Sequence, residues 1–265
     1  MLYNVKENTL NLPDIHMDYI TFGYGTKPLI MIQGLNTNGI KGAGTSLAFM
    51  YRIFAKNYKV YLFDRRADIS HDITTEELAA DIAAAMDELR IKNADILGVS
   101  MGGMIAQYLA IRRPDLVHKM VIAVTLSRNN KTVTSVINNW IELTEKKDYK
   151  SLVTDMAEKM YSEKYLQRYR PFLPLLTVFQ KPKDKQRFIA LCKACLTCNT
   201  YEKLDKIKCP LLVIGGGKDK IVGEKASLEI SEKAECELYI YDNLGHAAYE
   251  EAKDFNKKVY DFFKD

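Results

Sequence analysis

A chain of 265 residues, 47% of them hydrophobic and 27% charged, can bury a large core without disulfide bonds or metal ions. Its net charge is only +4, and basic and acidic residues are interspersed. The chain therefore has no basic stripe of the kind that a nucleic-acid-binding protein needs. Lys6 and Glu7 interrupt the N-terminal segment, and apolar runs such as 28–32 and 210–214 are too short to cross a bilayer. We therefore expect a cytoplasmic protein that does not bind membranes.

Strand-like segments alternate with helix-like segments in the first half of the chain. Short apolar runs predict strands, the first alternating like an edge strand and the others continuous: 17–22, 28–32, 58–63, 94–99 and 119–126. Thr74 or Thr75 can cap a helix after the third strand, and residues 102–112 predict a helix that ends before Pro114. This repetition predicts an α/β fold with a mostly parallel sheet and helices on both faces.

The alternation stops over residues 128–206, which carry helical apolar stripes and no convincing strand. It then resumes with a strand, a helix, a strand and a final helix, at 210–214, about 223–234, 237–241 and from Ala248. We predict that residues 128–206, called the cap segment below, form a helical insertion. The predicted core combines the two flanking ranges, 1–127 and 207–265.

The pentapeptide GVSMG at 98–102 lies directly after a predicted strand and directly before a predicted helix. In that context G-x-S-x-G predicts a sharp turn that exposes a nucleophilic serine, here Ser100, at the C-terminal edge of the sheet. The flanking glycines let neighbouring backbone approach, and the helix N-terminus favours negative charge developing there. A glycine-rich turn that only packs is the alternative, so a catalytic role requires partner residues elsewhere in the chain.

A nucleophilic serine needs a histidine as base and a carboxylate that orients it, in the chain order Ser, Asp or Glu, His. His246 lies just before the last predicted helix, and Asp219 follows the strand at 210–214. The end of the strand at 119–126 offers no carboxylate. We therefore predict a triad of Ser100, Asp219 and His246, in which Asp219 holds the tautomer of the histidine and stabilises its imidazolium form.

The other three histidines, and the two carboxylates that follow His246, are not predicted to belong to the triad. His16 and His118 are expected at the surface, and His71 either at the surface or at the mouth of the pocket. Glu250 and Glu251 are too close to the base in sequence to orient its ring, so we expect them to be solvated.

The negative oxygen of a tetrahedral intermediate needs two backbone N–H donors. One is predicted at Met101, the residue after the nucleophile. The second is predicted at Leu35, in the loop that follows the strand at 28–32. Because these donors are backbone groups, the identity of the two side chains matters little.

Three of the five cysteines, Cys192, Cys195 and Cys198, have a C-x2-C-x2-C spacing. An iron–sulfur cluster would need a fourth thiolate and a ligand loop. Residues three apart on an apolar helix share one face, and free cysteine is commonly a small buried residue. We therefore expect packing, and the sequence predicts neither a metal ion nor another cofactor.

Three segments resemble the α/β-hydrolase family, particularly its small bacterial esterases, enol-lactone hydrolases and haloperoxidase-like proteins with helical caps. They are VSMGGMIAQYLAIRRPDLV at 99–117, PLLVIGGGKDKIVG at 210–223 and LGHAAYEE at 244–251. The resemblance covers about 18–126 and 207–263. It implies an α/β-hydrolase fold in which an inserted helical cap shapes the acyl or lactone pocket.

Two positions depart from the usual pattern of this family. The chain has Gln33-Gly34 where the family usually has His-Gly after the oxyanion strand. Residues 64–70 also lack the glycines of the usual Asp-x-Arg-Gly-x-Gly-x-Ser. The lost glycines imply a differently shaped loop near the pocket mouth.

Together these residues predict a serine hydrolase that cleaves an ester, thioester or lactone of a small molecule through an acyl-enzyme. A ligand receptor that binds or slowly turns over a signal molecule, and an acyltransferase, are alternatives on the same fold. The cap segment is predicted to set acyl specificity through its large apolar side chains, which include Trp140, Tyr161, Tyr165, Phe172 and Phe179. For each of these side chains, packing between helices is the alternative role.

Overall fold

The computed structural model describes residues 2–264, with side chains throughout except at 2, 169 and 172–176. The strands in this range are β1 Lys6–Leu12, β2 Ile15–Phe22, β3 Lys27–Ile32, β4 Tyr58–Phe63, β5 Ala94–Val99, β6 Val117–Ala123, β7 Leu211–Gly216 and β8 Glu237–Tyr241. They form one sheet in the order β1-β2-β4-β3-β5-β6-β7-β8. The pairs β1–β2 and β2–β4 are antiparallel and all other pairs are parallel. The predicted α/β fold with a mostly parallel sheet is confirmed.

Helices cover both faces of this sheet. Their bounds are α1 Gly44–Met50, α2 Thr75–Glu88, α3 Met101–Arg112, α4 Lys131–Glu145, α5 Tyr149–Met160, α6 Glu163–Tyr169, α7 Leu173–Gln180, α8 Lys185–Cys195, α9 Ala226–Ala234, α10 Ala248–Glu251 and α11 Phe255–Lys264. Helices α2, α3 and α9 pack on one face, and α1 and α11 pack on the other. No helix within residues 2–264 combines the length and apolar character that a bilayer span requires.

Alternate residues of the central strands enter the two cores. In β3, Ile30 and Ile32 face α2 and α3, whereas Leu29 and Met31 face α1 and α11. All four side chains are buried, and each contributes on the order of 2 kcal/mol from the transfer of apolar surface out of water. Burial on both faces explains why these strands read as continuous apolar runs.

The strand predicted at the edge of the sheet is not the edge. β2 lies between β1 and β4, and β1 is the edge strand, paired with β2 from Lys6↔Thr21 to Leu12↔Ile15. Only Leu10 of β1 is buried, because one face and the outer edge of this strand meet solvent. A strand of that kind carries polar residues and gives little hydrophobic signal.

Further differences from the prediction include an unpredicted helix and the ends of two elements. Helix α1 was not predicted. β6 ends at Ala123 rather than at residue 126, because Val124 has a φ of 46°, which ends the extended conformation. The last helix is divided into α10 and α11, because Ala252 between them is extended.

Two further observations concern the helices. Thr74 caps α2 in a capping box with Glu77, which places the helix start at the predicted position. Helices α4 to α8 all lie between β6 and β7, inside the cap segment. The cap segment as a separate functional unit remains a prediction.

Candidate active site

Ser100 occupies the sharp turn between β5 and α3. Its backbone has φ 54° and ψ −120°, a strained conformation for a residue with a side chain. A Cβ on Gly102 would lie 1.9 Å from the carbonyl oxygen of Ile32, so that position requires glycine. The N–H of Ser100 donates to the carbonyl oxygen of Ala123 at 2.8 Å, and the hydroxyl of Thr125 donates to the carbonyl oxygen of Ser100 at 2.7 Å. These contacts hold the strained turn in place.

The imidazole of His246 lies directly against the hydroxyl of Ser100. Its Nε2 is 2.8 Å from Oγ of the serine. The ring is buried and is carried by the loop between β8 and α10. This loop is fixed at the next residue, where the N–H of Ala247 donates to the carbonyl oxygen of Met160 at 2.8 Å.

Asp219 reaches the same place from the loop after β7. One carboxylate oxygen is 2.8 Å from Nδ1 of His246, and the other accepts the backbone N–H groups of Ile221 and Val222 at 2.8 and 3.0 Å. An ionised carboxylate only accepts hydrogen bonds, so Nδ1 carries the ring proton and Nε2 is left as an acceptor for the hydroxyl of Ser100. The structure therefore brings together the three predicted residues, and their catalytic roles stay a prediction.

Two carboxylates that follow the proposed base bind the junction between α5 and α6, defined here as residues 160–162. Half-buried Glu251 accepts both the backbone N–H and the hydroxyl of Ser162, and exposed Glu250 accepts the hydroxyl of Tyr161 at 2.6 Å. Burial and the Glu250 carboxylate raise the pKa of Tyr161, so its hydroxyl stays a donor. The expectation that Glu251 is solvated is wrong, because its side chain is half-buried and binds Ser162. The sequence gives no sign of this contact, since the two residues are 89 positions apart.

The loop after β3 lies over the start of α3. A Cβ on Gly34 would be 3.2 Å from Cβ of Ser100, so a side chain there would crowd the nucleophile. Gly34 and Leu35 line the cavity that contains Ser100 and His246. This placement suits the predicted N–H donors at Leu35 and Met101, whose role as an oxyanion hole stays a prediction.

The cavity next to Ser100 is mostly apolar. Its free volume is about 40 Å³. The cap segment contributes six of its lining residues, Val133, Ile137, Trp140, Met156, Met160 and Cys195. A bound acyl group would therefore contact α4, α5 and α8 as well as the core.

The aromatic residues of the cap segment have different environments. Trp140 lines the cavity. Tyr161 and Tyr165 stack on each other with ring centroids 4.6 Å apart, and Phe179 is exposed. The side chain of Phe172 lies outside the described residues. Packing is thus the observed environment of the tyrosine pair, whereas buried Trp140 forms part of the cavity wall, and contact of either with a substrate stays a prediction.

The remaining histidines do not line this cavity. His16 is exposed as expected. His71 is 70% exposed and accepts a hydrogen bond from the ammonium group of Lys193. His118 is half-buried rather than fully at the surface, because its Nδ1 is 2.7 Å from the buried carboxylate of Asp95.

The three closely spaced cysteines are buried in the core on the side of α2 and α3. Burial raises the pKa of Cys195 and of Cys198 to about 12, and it raises that of Cys192 well above its usual value. Their environment fits the packing interpretation, and Cys195 also forms part of the cavity wall. Among the side chains that the structure describes, no group of three or more His, Cys, Asp or Glu is placed to bind a metal ion.

Thiol alkylation should follow these differences in burial. At pH 8 we expect slow reaction of Cys192, Cys195 and Cys198 with iodoacetamide, since a pKa of about 12 leaves only ~10⁻⁴ of a thiol ionised. Half-buried Cys209 and Cys236, with pKa values raised by burial to about 11, should react first. Peptide mass spectrometry would measure each site, with the urea-unfolded protein as the control. Rapid labelling of Cys195 in the native protein would contradict its burial.

Known proteins resemble this chain along most of its length. It is 23% identical over 224 residues to 3-oxoadipate enol-lactonase 2 of Acinetobacter baylyi, covering 81% of this chain and 80% of that protein. It is 27% identical over 192 residues to the pimeloyl-(acyl-carrier protein) methyl ester esterase of Neisseria meningitidis, covering 64% of this chain and 69% of that protein. The chain therefore spans most of the length of both relatives.

Solved structures show the same fold. The enol-lactonase of Burkholderia xenovorans superposes with a TM-score of 0.84 at 21% identity, over 97% of this chain and 100% of that chain. An alpha/beta hydrolase enzyme from a Medee basin deep-sea metagenome library superposes with a TM-score of 0.88 at 20% identity, over 97% and 98%. The family model described as the alpha/beta hydrolase fold matches residues 27–253. The chain belongs to the alpha/beta hydrolase fold family.

Proposed function

We propose that the protein is a serine hydrolase that cleaves a carboxylic ester, thioester or lactone of a small molecule through an acyl-enzyme. The observation that carries this proposal is the hydrogen-bond chain from the hydroxyl of Ser100 through His246 to Asp219. Both heavy-atom distances in this chain are 2.8 Å, and it begins at a strained turn. The names of two relatives, an enol-lactonase and a methyl ester esterase, support the ester and lactone class.

In the proposed reaction, Oγ of Ser100 attacks the substrate carbonyl carbon while its proton passes to Nε2 of His246. The carbonyl oxygen becomes negative and accepts the N–H groups of Leu35 and Met101. The bond to the leaving group then breaks, and His246 protonates the departing alkoxide or thiolate. Water, activated by the same base, releases the carboxylic acid from the acyl-serine. Asp219 stabilises the imidazolium during both acylation and deacylation.

We also propose that the cap segment forms the acyl-binding wall. Its contribution to the cavity is made by α4, α5 and α8, and most of those side chains are apolar. An apolar wall favours an apolar acyl group, because the transfer of its surface out of water stabilises the complex.

A panel of esters, thioesters and lactones of graded acyl length tests the proposal, together with a fluorophosphonate label located by mass spectrometry. We expect many turnovers per protein molecule and a label on Ser100. A single slow turnover would favour a receptor, and ester products formed from added alcohols would reveal an acyltransferase. Labelling of a different serine would contradict the proposed mechanism.

Met156→Ala is expected to shift the acyl preference toward longer chains, because it removes part of the cavity wall. A change of a few carbon atoms in an apolar pocket alters relative kcat/KM by about 10-fold or more. The measurement is kcat/KM for p-nitrophenyl esters of increasing acyl length. Met17→Ala makes the same change in the core away from the cavity, so it should lower stability and keep the ester ranking. An unchanged ranking in Met156→Ala would contradict a role of this part of the wall in specificity, and an unchanged ranking after exchange of the whole cap segment would assign specificity to the loops at 35–39 and 66–71.

A further inference from the structure

Arg65 is a buried cation that contacts the loop after β3, which carries the proposed oxyanion donor Leu35. It lies two residues after the end of β4, and only 3% of its surface is exposed. Its terminal nitrogen Nη2 donates to the carbonyl oxygens of Gln33 and Gly34, the latter at 3.2 Å. Nε and Nη1 have no hydrogen-bond partner among the described residues. The guanidinium is therefore directed at the loop that precedes Leu35.

Among the described contacts, the carboxylate of Asp64 forms no hydrogen bond with the guanidinium of Arg65. Asp64 accepts the backbone N–H groups of Arg65 and Ile40 at 2.8 and 3.0 Å, and the guanidinium of Arg187 at 3.4 Å. Burial lowers the pKa of Arg65 to about 10, which leaves the side chain protonated at neutral pH. Within the described residues, the hydrogen bonds of the Arg65 side chain go to two backbone carbonyls.

A side chain with these properties is costly for folding. A buried charge with unbonded N–H groups loses hydration that its surroundings do not replace. Replacing a whole buried group of charges by apolar side chains is often neutral or stabilising, so folding alone does not explain a cation at this position. A local cost of this kind next to the reactive serine indicates a functional role for Arg65.

We infer that Arg65 is a positioning residue that orients and polarises the oxyanion donor at Leu35. The carbonyl of Gly34 and the N–H of Leu35 belong to one planar peptide group, so a bond to the carbonyl fixes the direction of the N–H. A cationic donor on the carbonyl also strengthens the N–H as a donor on the opposite side.

This inference rests on the proposed function, in which the N–H of Leu35 stabilises the tetrahedral intermediate. The negative oxygen exists only after the serine has attacked, so the contribution of Arg65 belongs to the transition state. Loss of Arg65 should therefore act on kcat and leave KM nearly unchanged. Because a smaller folded fraction also lowers apparent kcat at constant KM, affinity for an analogue of the tetrahedral intermediate is the measurement that distinguishes a positioning role from a structural one.

Arg65→Met tests the inference with a neutral p-nitrophenyl ester, which carries no carboxylate that an arginine could bind. We expect kcat to fall about 10- to 100-fold and KM to stay within about threefold. Affinity for a trifluoromethyl ketone, whose serine adduct carries the negative oxygen, should fall by a similar factor. Arg65→Lys keeps the charge and should retain several-fold more activity than Arg65→Met.

Arg187→Met is the matched control, because it removes a neighbouring guanidinium that binds Asp64. It should leave kcat within about threefold of wild type. Circular dichroism and thermal unfolding establish that the variants fold, and Arg65→Gln takes the place of Arg65→Met if the latter does not.

Two results would overturn the inference while hydrolysis that depends on Ser100 still stands. One is a wild-type kcat in the Arg65 variant, and the other is a loss confined to KM. If the wild type hydrolyses no ester, thioester or lactone, the proposed function fails, and the inference fails with it.

Discussion

Ser100→Ala is expected to lower kcat by about 10⁴-fold or more, because the members of a catalytic triad act as a unit. The substitution removes the attacking oxygen and leaves the 2.8 Å contact between His246 and Asp219 in place. The backbone contacts that hold the turn also remain, so the variant should fold like the wild type. Steady-state hydrolysis at saturating ester measures the loss, and the fluorophosphonate label should disappear at the same time.

Ser127 offers a matched control for this experiment. It is buried a few residues after β6, and its hydroxyl has no hydrogen-bond partner among the described residues. Ser127→Ala should therefore keep both turnover and label. Full turnover in Ser100→Ala would rule out the acyl-enzyme mechanism, and equal losses in the two variants would point to a general effect on folding.

Asp219→Asn should reduce kcat by a similar factor, ~10⁴-fold, which is the size of the corresponding effect in serine proteases. The loop N–H groups of Ile221 and Val222 hold one oxygen of the side chain, so an asparagine would keep its carbonyl oxygen there. Its amide N–H₂ would then face Nδ1 of His246 and move the ring proton to Nε2. In that tautomer the ring cannot accept the proton of Ser100.

The exposed residues Asp205 and Asp242 provide the same chemical change at the surface. Asp205→Asn and Asp242→Asn should hydrolyse esters at the wild-type rate. Comparing kcat for the three variants separates loss of the oriented base from loss of a negative charge. A wild-type rate in Asp219→Asn would mean that another group orients His246.

Elements could be predicted from the sequence where their own residues show a clear pattern, such as an apolar run or a nearby glycine. The bounds of β4 and β5 match the predicted ranges, because their sequences are nearly continuous apolar runs that end in polar or glycine-containing loops. Ser100, Asp219 and His246 could also be assigned, since each follows a recognisable strand and stands beside glycine in the sequence or close to it. In these cases the local sequence and the tertiary fold favour the same structure.

Elements that depend on distant partners could not be predicted. Helix α1 has no side-chain cap of its own, and the carboxylate of Glu7 in β1 accepts the N–H groups of Gly42 and Gly44 at its start, each at 2.9 Å. β1 in turn is polar because it lies at the edge of the sheet. Neither segment indicates its structure without the other.

Arg65 and Glu251 were missed for a related reason. A charged residue is ordinarily exposed, so sequence alone favours a solvated side chain at both positions. Their places follow from contacts across the fold, with the loop after β3 for Arg65 and with Ser162 for Glu251. Only the assembled structure brings these groups together.

The attachment of the α5–α6 junction to the histidine loop bears on how this protein could be re-engineered. Transplanting a foreign helical insertion in place of residues 128–206 would exchange the apolar wall and would also remove the groups that bind Glu250 and Glu251. An inactive chimera would then have two explanations: a displaced His246, or a pocket that does not fit the substrate. A transplant that retains residues 160–162 separates the two effects. The natural crossover points for recombination therefore lie within the insertion, on either side of that short segment, and not at its two ends.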